Sequence, residues 1–134
     1  MPNVVLTSPL LEDGTPFPTT FYLTCPRLNS AIGTLEANGV MRDLQAELET
    51  NPELAEQYLK AHESYLAVRE TLGDVPQISG ISAGGMPNRV KCLHVLAAHS
   101  LAAGPGVNPL GDRVLELVGD WRSSGTCAKE LECE

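Results

Sequence analysis

Apolar positions along the chain change period several times, and each change marks an element. Val4-Val5-Leu6 and Thr20-Phe21-Tyr22-Leu23-Thr24 are β-branched or aromatic runs. Between them, Glu12-Asp13-Gly14-Thr15-Pro16-Phe17-Pro18 is dense in turn formers. The pattern predicts two short strands joined as a loose hairpin. Pro26 suits the first turn of a helix, and Leu28, Ile32 and Leu35 continue it at helical spacing until Asn38-Gly39 stops it. A second short helix is expected from about Val40 to Thr50.

The strongest pattern begins at Asn51-Pro52-Glu53, which combines an N-cap, a proline at the first helical position and an acid in the first turn. Leu54, Tyr58, Ala61, Tyr65, Val68 and Leu72 then share one stripe that ends at Gly73. From Asp74 to Asn88 the chain is rich in Pro, Gly and Ser, with a short extended piece expected at Gln77-Ile78-Ser79. A nearly all-apolar helix is predicted from about Arg89 to Ala103, and apolarity on every side implies burial. Gly104-Pro105-Gly106 breaks it, and Asn108-Pro109 opens a last helix running to about Trp121.

The sum is an α+β, mainly helical domain, with a small N-terminal two-stranded β element packed on a bundle of about five helices. One globular unit is expected over residues 1–122, followed by an acidic, partly ordered tail over 123–134. A chain of 134 residues can bury one core without disulfide staples.

Composition narrows the functional classes. No segment approaches the roughly 20 apolar residues of a bilayer span, and Met1 to Thr7 lack the features of a signal peptide. A cytoplasmic location and four reduced cysteines are the expectation. The formal net charge of -8 argues against nucleic acid and anionic membranes as partners. Charge is unevenly spread, because Pro76 to Gly111 contains Arg89 and Lys91 and no acid.

Three features could carry chemistry. Cys92, His94 and His99 lie on the predicted apolar helix. Cys92 and His99 would share a face but sit roughly 10.5 Å apart along it, and His94 would point nearly opposite Cys92. A metal site would therefore need donors from elsewhere, with Cys25 and Cys127 the obvious ones, and zinc or an iron centre the candidate ion. The alternatives are a core stripe with one hydrogen-bonded histidine, or a thiol activated by an imidazole. The second feature is the loop from Gly80 through Gly84-Gly85 to Asn88, which leads into Arg89 and Lys91. Cations at a helix start suggest a bound anion, against the plainer reading of an exposed loop. The third is Tyr58, His62, Tyr65 and Arg69, on one continuous helical stripe. Facing the glycine loop, His62 could move a proton and Arg69 could clamp a carboxylate or phosphate; otherwise both flank the core and reach solvent.

Several segments together resemble a family of small bacterial proteins catalogued as domain of unknown function number 501. The matching pieces are Asp13-Gly14-Thr15-Pro16-Phe17-Pro18-Thr19, Tyr22-Leu23-Thr24-Cys25-Pro26, His62 with Tyr65 and Arg69, Gly84-Gly85, Val90-Lys91-Cys92-Leu93-His94 with Ala98-His99, and Asn108-Pro109 with Gly111. They cover most of the chain from about Pro2 to Val114. The resemblance implies no activity, but it gathers Cys25, His62, Arg69, Lys91, Cys92, His94 and His99 into one pattern. The resemblance also implies further residues before the segment matching Pro2-Asn3-Val4-Val5, often with a cysteine; were that cysteine a ligand, a four-ligand site here would be incomplete or would recruit Cys127.

The combined expectation is a pocket for a small anionic molecule, bound by Arg69, Gly84, Gly85, Arg89 and Lys91. His62, Cys92 and His99 would be the catalytic groups of a hydrolase or group-transfer enzyme, and Cys25, Cys92, His94 and His99 the ligands of any metal. The alternative is a non-catalytic interaction or regulatory module without metal, and either could self-associate.

Overall fold

The computed structural model describes residues 3–119, so the helix end expected near Trp121 and the acidic tail expected over 123–134 lie outside the described residues. Strands β1 (Val4–Leu6) and β2 (Phe21–Leu23) form the antiparallel pair, with Val4 opposite Leu23 and Leu6 opposite Phe21. Five helices follow among the described residues: α1 (Pro26–Ala37), α2 (Val40–Thr50), α3 (Pro52–Leu72), α4 (Leu93–Ala103) and α5 (Pro109–Val118). None is long and apolar enough to cross a membrane.

Local signals explain most boundaries. Asn51 Oδ1 accepts from the Leu54 amide at 3.2 Å, and Asn108 Oδ1 accepts from the Gly111 amide at 3.0 Å. Each is an N-cap followed by proline, so one first-turn amide that has no intrahelical partner is satisfied and the proline removes another. Two expectations need correction. The piece at Gln77-Ile78-Ser79 is not extended: Pro76–Ile78 form a 3-10 turn, with the Ser79 amide bonded to the Pro76 carbonyl. The helix expected from Arg89 begins at Leu93, because residues 84–91 fold back on themselves. There the Arg89 amide bonds the Gly85 carbonyl at 2.8 Å and the Lys91 amide bonds the Gly84 carbonyl at 2.9 Å. Gln45, from α2, holds the same segment by accepting from the Val90 amide and donating to the Asn88 carbonyl. Burial of Val90 completes this alternative to a helical turn.

Helix α4 is the axis of the core. Leu93, Leu96, Ala97 and Ala98 are fully buried, and α4 packs against β2, α1 and α5. The α4–α5 contact is closest at Gly111, which faces the Leu96 carbonyl and Ser100 Oγ with no room for a Cβ. Phe21 from β2 stacks on the His99 ring at 5.3 Å and meets Tyr65 from α3 edge to face at 5.2 Å, so one aromatic cluster joins strand, α3 and α4.

Candidate functional site

The inward stripe of α3 meets the two long connections of the chain. Tyr58 Oη donates to the Arg89 carbonyl at 2.8 Å, and His62 Nδ1 lies 2.7 Å from Ser82 Oγ. Tyr65 Oη accepts from the Thr20 amide at 2.6 Å. Arg69 donates to the carbonyls of Pro18 at 3.2 Å and Ile78 at 2.6 Å. At 4% exposure Arg69 does not reach solvent; its guanidinium holds two loops together. Burial lowers the pKa of His62, the Arg69 cation lowers it further, and Glu63 opposes both. Arg89 and Lys91 are exposed, on a loop whose Gly84 and Gly85 carbonyls are taken by backbone amides. The stripe and the glycine loop therefore meet, as expected, but they meet through hydrogen bonds to backbone and Ser82.

His99 is fully buried. Asn108 spends its Oδ1 on the Gly111 amide, which fixes its Nδ2 as the donor to His99 Nδ1 at 3.2 Å. The ring proton then sits on Nε2, which has no hydrogen-bond partner among the described residues. Burial pushes the His99 pKa down to about 4, against a weaker pull from Asp112, so the ring is neutral near pH 7. Cys25 is also fully buried, is disulfide-bonded, and its Sγ accepts from the Leu28 amide at the start of α1. It has no thiolate to offer an ion, and the expectation of four reduced cysteines fails there. Cys92 is the free cysteine among the described residues.

Cys92 and His94 come together with a residue the sequence did not single out. Donor atoms of Glu36, Cys92 and His94 lie within 4.8 Å of one another, and all three side chains are half-buried. The helical wheel placed Cys92 and His94 on opposite faces, but Cys92 is the N-cap of α4, with extended backbone at φ -144° and ψ 109°. Its side chain is not on the helical lattice, so the two converge. Glu36 arrives from the last turn of α1, four residues beyond buried Ile32 on the same inward face. That spacing was the available signal: a carboxylate continuing an apolar stripe.

Each member is oriented by a second contact. Glu36 Oε2 accepts from the Leu93 amide at 3.0 Å, where a negative charge suits the N-terminus of α4. Glu36 Oε1 stands 3.2 Å from His94 Nδ1. His94 Nε2 stands 3.1 Å from the Asn29 carbonyl, which can only accept, so Nε2 carries a proton. Cys92 and His94 open onto a cleft of about 450 Å³ whose walls include Phe17, Tyr22, Leu23 and Val95.

Residues 1–116 match the family described as Protein of unknown function (DUF501). The chain belongs to that family. No curated protein and no solved structure matches it. Within the DUF501 match fall Glu36, Cys92 and His94, the walls of the cleft, and the α3 stripe.

Proposed function

We propose that this chain binds a divalent metal ion, most suitably zinc, through Glu36 Oε1, Cys92 Sγ and His94 Nδ1, and presents the ion's open position to a small molecule in the cleft. The observation that carries this reading is the environment of His94. With the proton of the neutral ring on Nε2, Nδ1 turns a lone pair toward a carboxylate oxygen 3.2 Å away. Two such groups repel unless a positive charge lies between them. A metal ion supplies that charge, and Cys92 Sγ lies close enough to complete a set of thiolate, imidazole and carboxylate donors.

The surroundings suit a ligand set. A metal-bound histidine commonly donates its other ring N–H to a backbone carbonyl, as His94 does to Asn29, and a ligating carboxylate is itself hydrogen-bonded, as Glu36 is to Leu93. Bonds of roughly 2.0–2.3 Å to one ion require the donor atoms to close by about an ångström, which the rotatable bonds of Glu36 and Cys92 allow. Three protein ligands with an open position are the arrangement of catalytic zinc sites, where the ion acts as a Lewis acid toward a bound substrate. Metal-assisted hydrolysis is the reaction class this supports. His62 and His99 have no part in it, because the contacts of each run to Ser82 and Asn108.

A second reading rests on the same distances. An imidazolium would donate to both Glu36 and Asn29, making the trio a proton-held clamp between α1 and α4 in a non-catalytic interaction module. Elemental analysis of protein purified without chelator separates the two. The metal reading expects close to one equivalent of zinc, lost in Cys92→Ser and His94→Ala. Less than roughly a tenth of an equivalent, with no zinc-dependent rise in melting temperature, would decide for the clamp. A site filled at 100 times its Kd adds about 2.7 kcal/mol, so the thermal signal is large.

A further inference from the structure

The cleft beside this centre has a composition that selects among ligands, and the selection rests on the metal reading above. A divalent ion bound by the Cys92 thiolate and the Glu36 carboxylate has its two charges cancelled before any ligand arrives. No Lys or Arg is among the described residues that line the cleft, so none of those residues neutralises a second or third negative charge. The cations that suggested an anion pocket are elsewhere: Arg69 is buried against the Pro18 and Ile78 carbonyls, and Arg89 and Lys91 are exposed and do not line the cleft. The walls are apolar. Phe17, Phe21, Leu23 and Val95 contribute aromatic and aliphatic surface, and Tyr22, 51% exposed, stands on the outward face of β2 where it can cover a ligand. The neutral polar groups Thr19 and Asn29 complete the lining. A desolvated multiply charged anion would be penalised in such a place, whereas an apolar body gains from burial.

We infer that the cleft takes a small molecule with an apolar, preferably aromatic, body and a single neutral or singly charged metal-binding head, and that it rejects phosphate esters. The head occupies the open position beside Cys92 and His94, and the body lies along Phe17, Tyr22 and Val95. A space of about 450 Å³ is within the range of pockets that enclose small organic ligands.

Cobalt-loaded protein tests this, because a Co²⁺–thiolate band reports both the metal and any group that joins it. The probes are 3-phenylpropanohydroxamic acid, acetohydroxamic acid and inorganic phosphate, titrated into the wild-type chain and into Tyr22→Ala, whose exposed position spares the core. The phenyl compound should perturb the band and bind at least about tenfold more tightly than acetohydroxamic acid, an advantage set by burial of its ring. Phosphate should leave the band unchanged. Tyr22→Ala should reduce the phenyl advantage several-fold and leave acetohydroxamic acid binding as in the wild type. Equal affinity for the two hydroxamates, or a band perturbed by phosphate, overturns the ligand class while the metal centre stands. A missing cobalt band overturns the centre, and the ligand assignment falls with it.

Discussion

His94 Nδ1 stands 3.2 Å from Glu36 Oε1, across the junction between the end of α1 and the start of α4. Because Glu36 uses its other oxygen on the Leu93 amide, the two functions of its carboxylate can be separated by substitution. Glu36→Gln keeps an oxygen for Leu93 and removes the charge. Zinc affinity, measured by competition with a chromophoric chelator, should fall by at least about 10–100-fold. The metal-free protein should melt within a few degrees of the wild type, since a half-exposed pair contributes about 1 kcal/mol or less. An unchanged affinity would remove Glu36 from the ligand set.

Acid stability should carry the signature of His99. Its folded pKa lies near 4 and its unfolded pKa near 6.5, so the unfolded chain binds more protons between those values. The stability that the neutral ring contributes is complete above about pH 6.5 and is lost progressively as pH falls toward 4, amounting to roughly 2–3 kcal/mol. His99→Phe retains the stack on Phe21 and has nothing to protonate. Urea midpoints recorded with chelator present from pH 7 to 4 should decline less steeply in that variant, and parallel declines would count against the assignment.

Arg69→Leu should destabilise the protein by about 2–4 kcal/mol, because it leaves the carbonyls of Pro18 and Ile78 without their donor. The loss should be the same with and without added phosphate. A phosphate-dependent gain in melting temperature that this substitution abolishes would instead restore Arg69 to an anion site.

Gly111→Ala tests the crossing of α4 and α5. An added methyl would overlap the Leu96 carbonyl and Ser100 Oγ, and a helix backbone cannot yield as a flexible side chain can. Destabilisation of roughly 3 kcal/mol or more is expected in chemical denaturation. A cost below 1 kcal/mol would show that the helices separate easily.

Much of the fold could be read from periodicity and caps. Asn51-Pro52 and Asn108-Pro109 opened their helices as expected, and α3 ends at Gly73 as expected, but Leu72 of its expected stripe is exposed while His62 and Arg69 are buried. What periodicity could not show was the start of α4, because Val90-Lys91-Cys92 runs into the apolar helix without a breaker, and contacts of the segment with Gly84, Gly85, Gln45 and Tyr58 keep it off the helical path. That one boundary hid the site. A helical Cys92 points away from His94, and an extended one points toward it. Glu36 was legible only as a carboxylate on an inward face, and its partners Cys92, Leu93 and His94 lie 56 to 58 residues along the chain, beyond the reach of local spacing.

The α3 stripe also constrains the order of assembly. Among the described residues, the side chains of Tyr58, His62, Tyr65 and Arg69 find their hydrogen-bond partners at residues 18–21 and 78–89, on either side of the helix in sequence. A nascent chain ending shortly after Leu72 would present this face without half of those partners, so α3 becomes a template on which the later loop closes. Circular permutation within residues 74–90 would cut that template from its cover, whereas a cut at Gly39, between α1 and α2, would spare it.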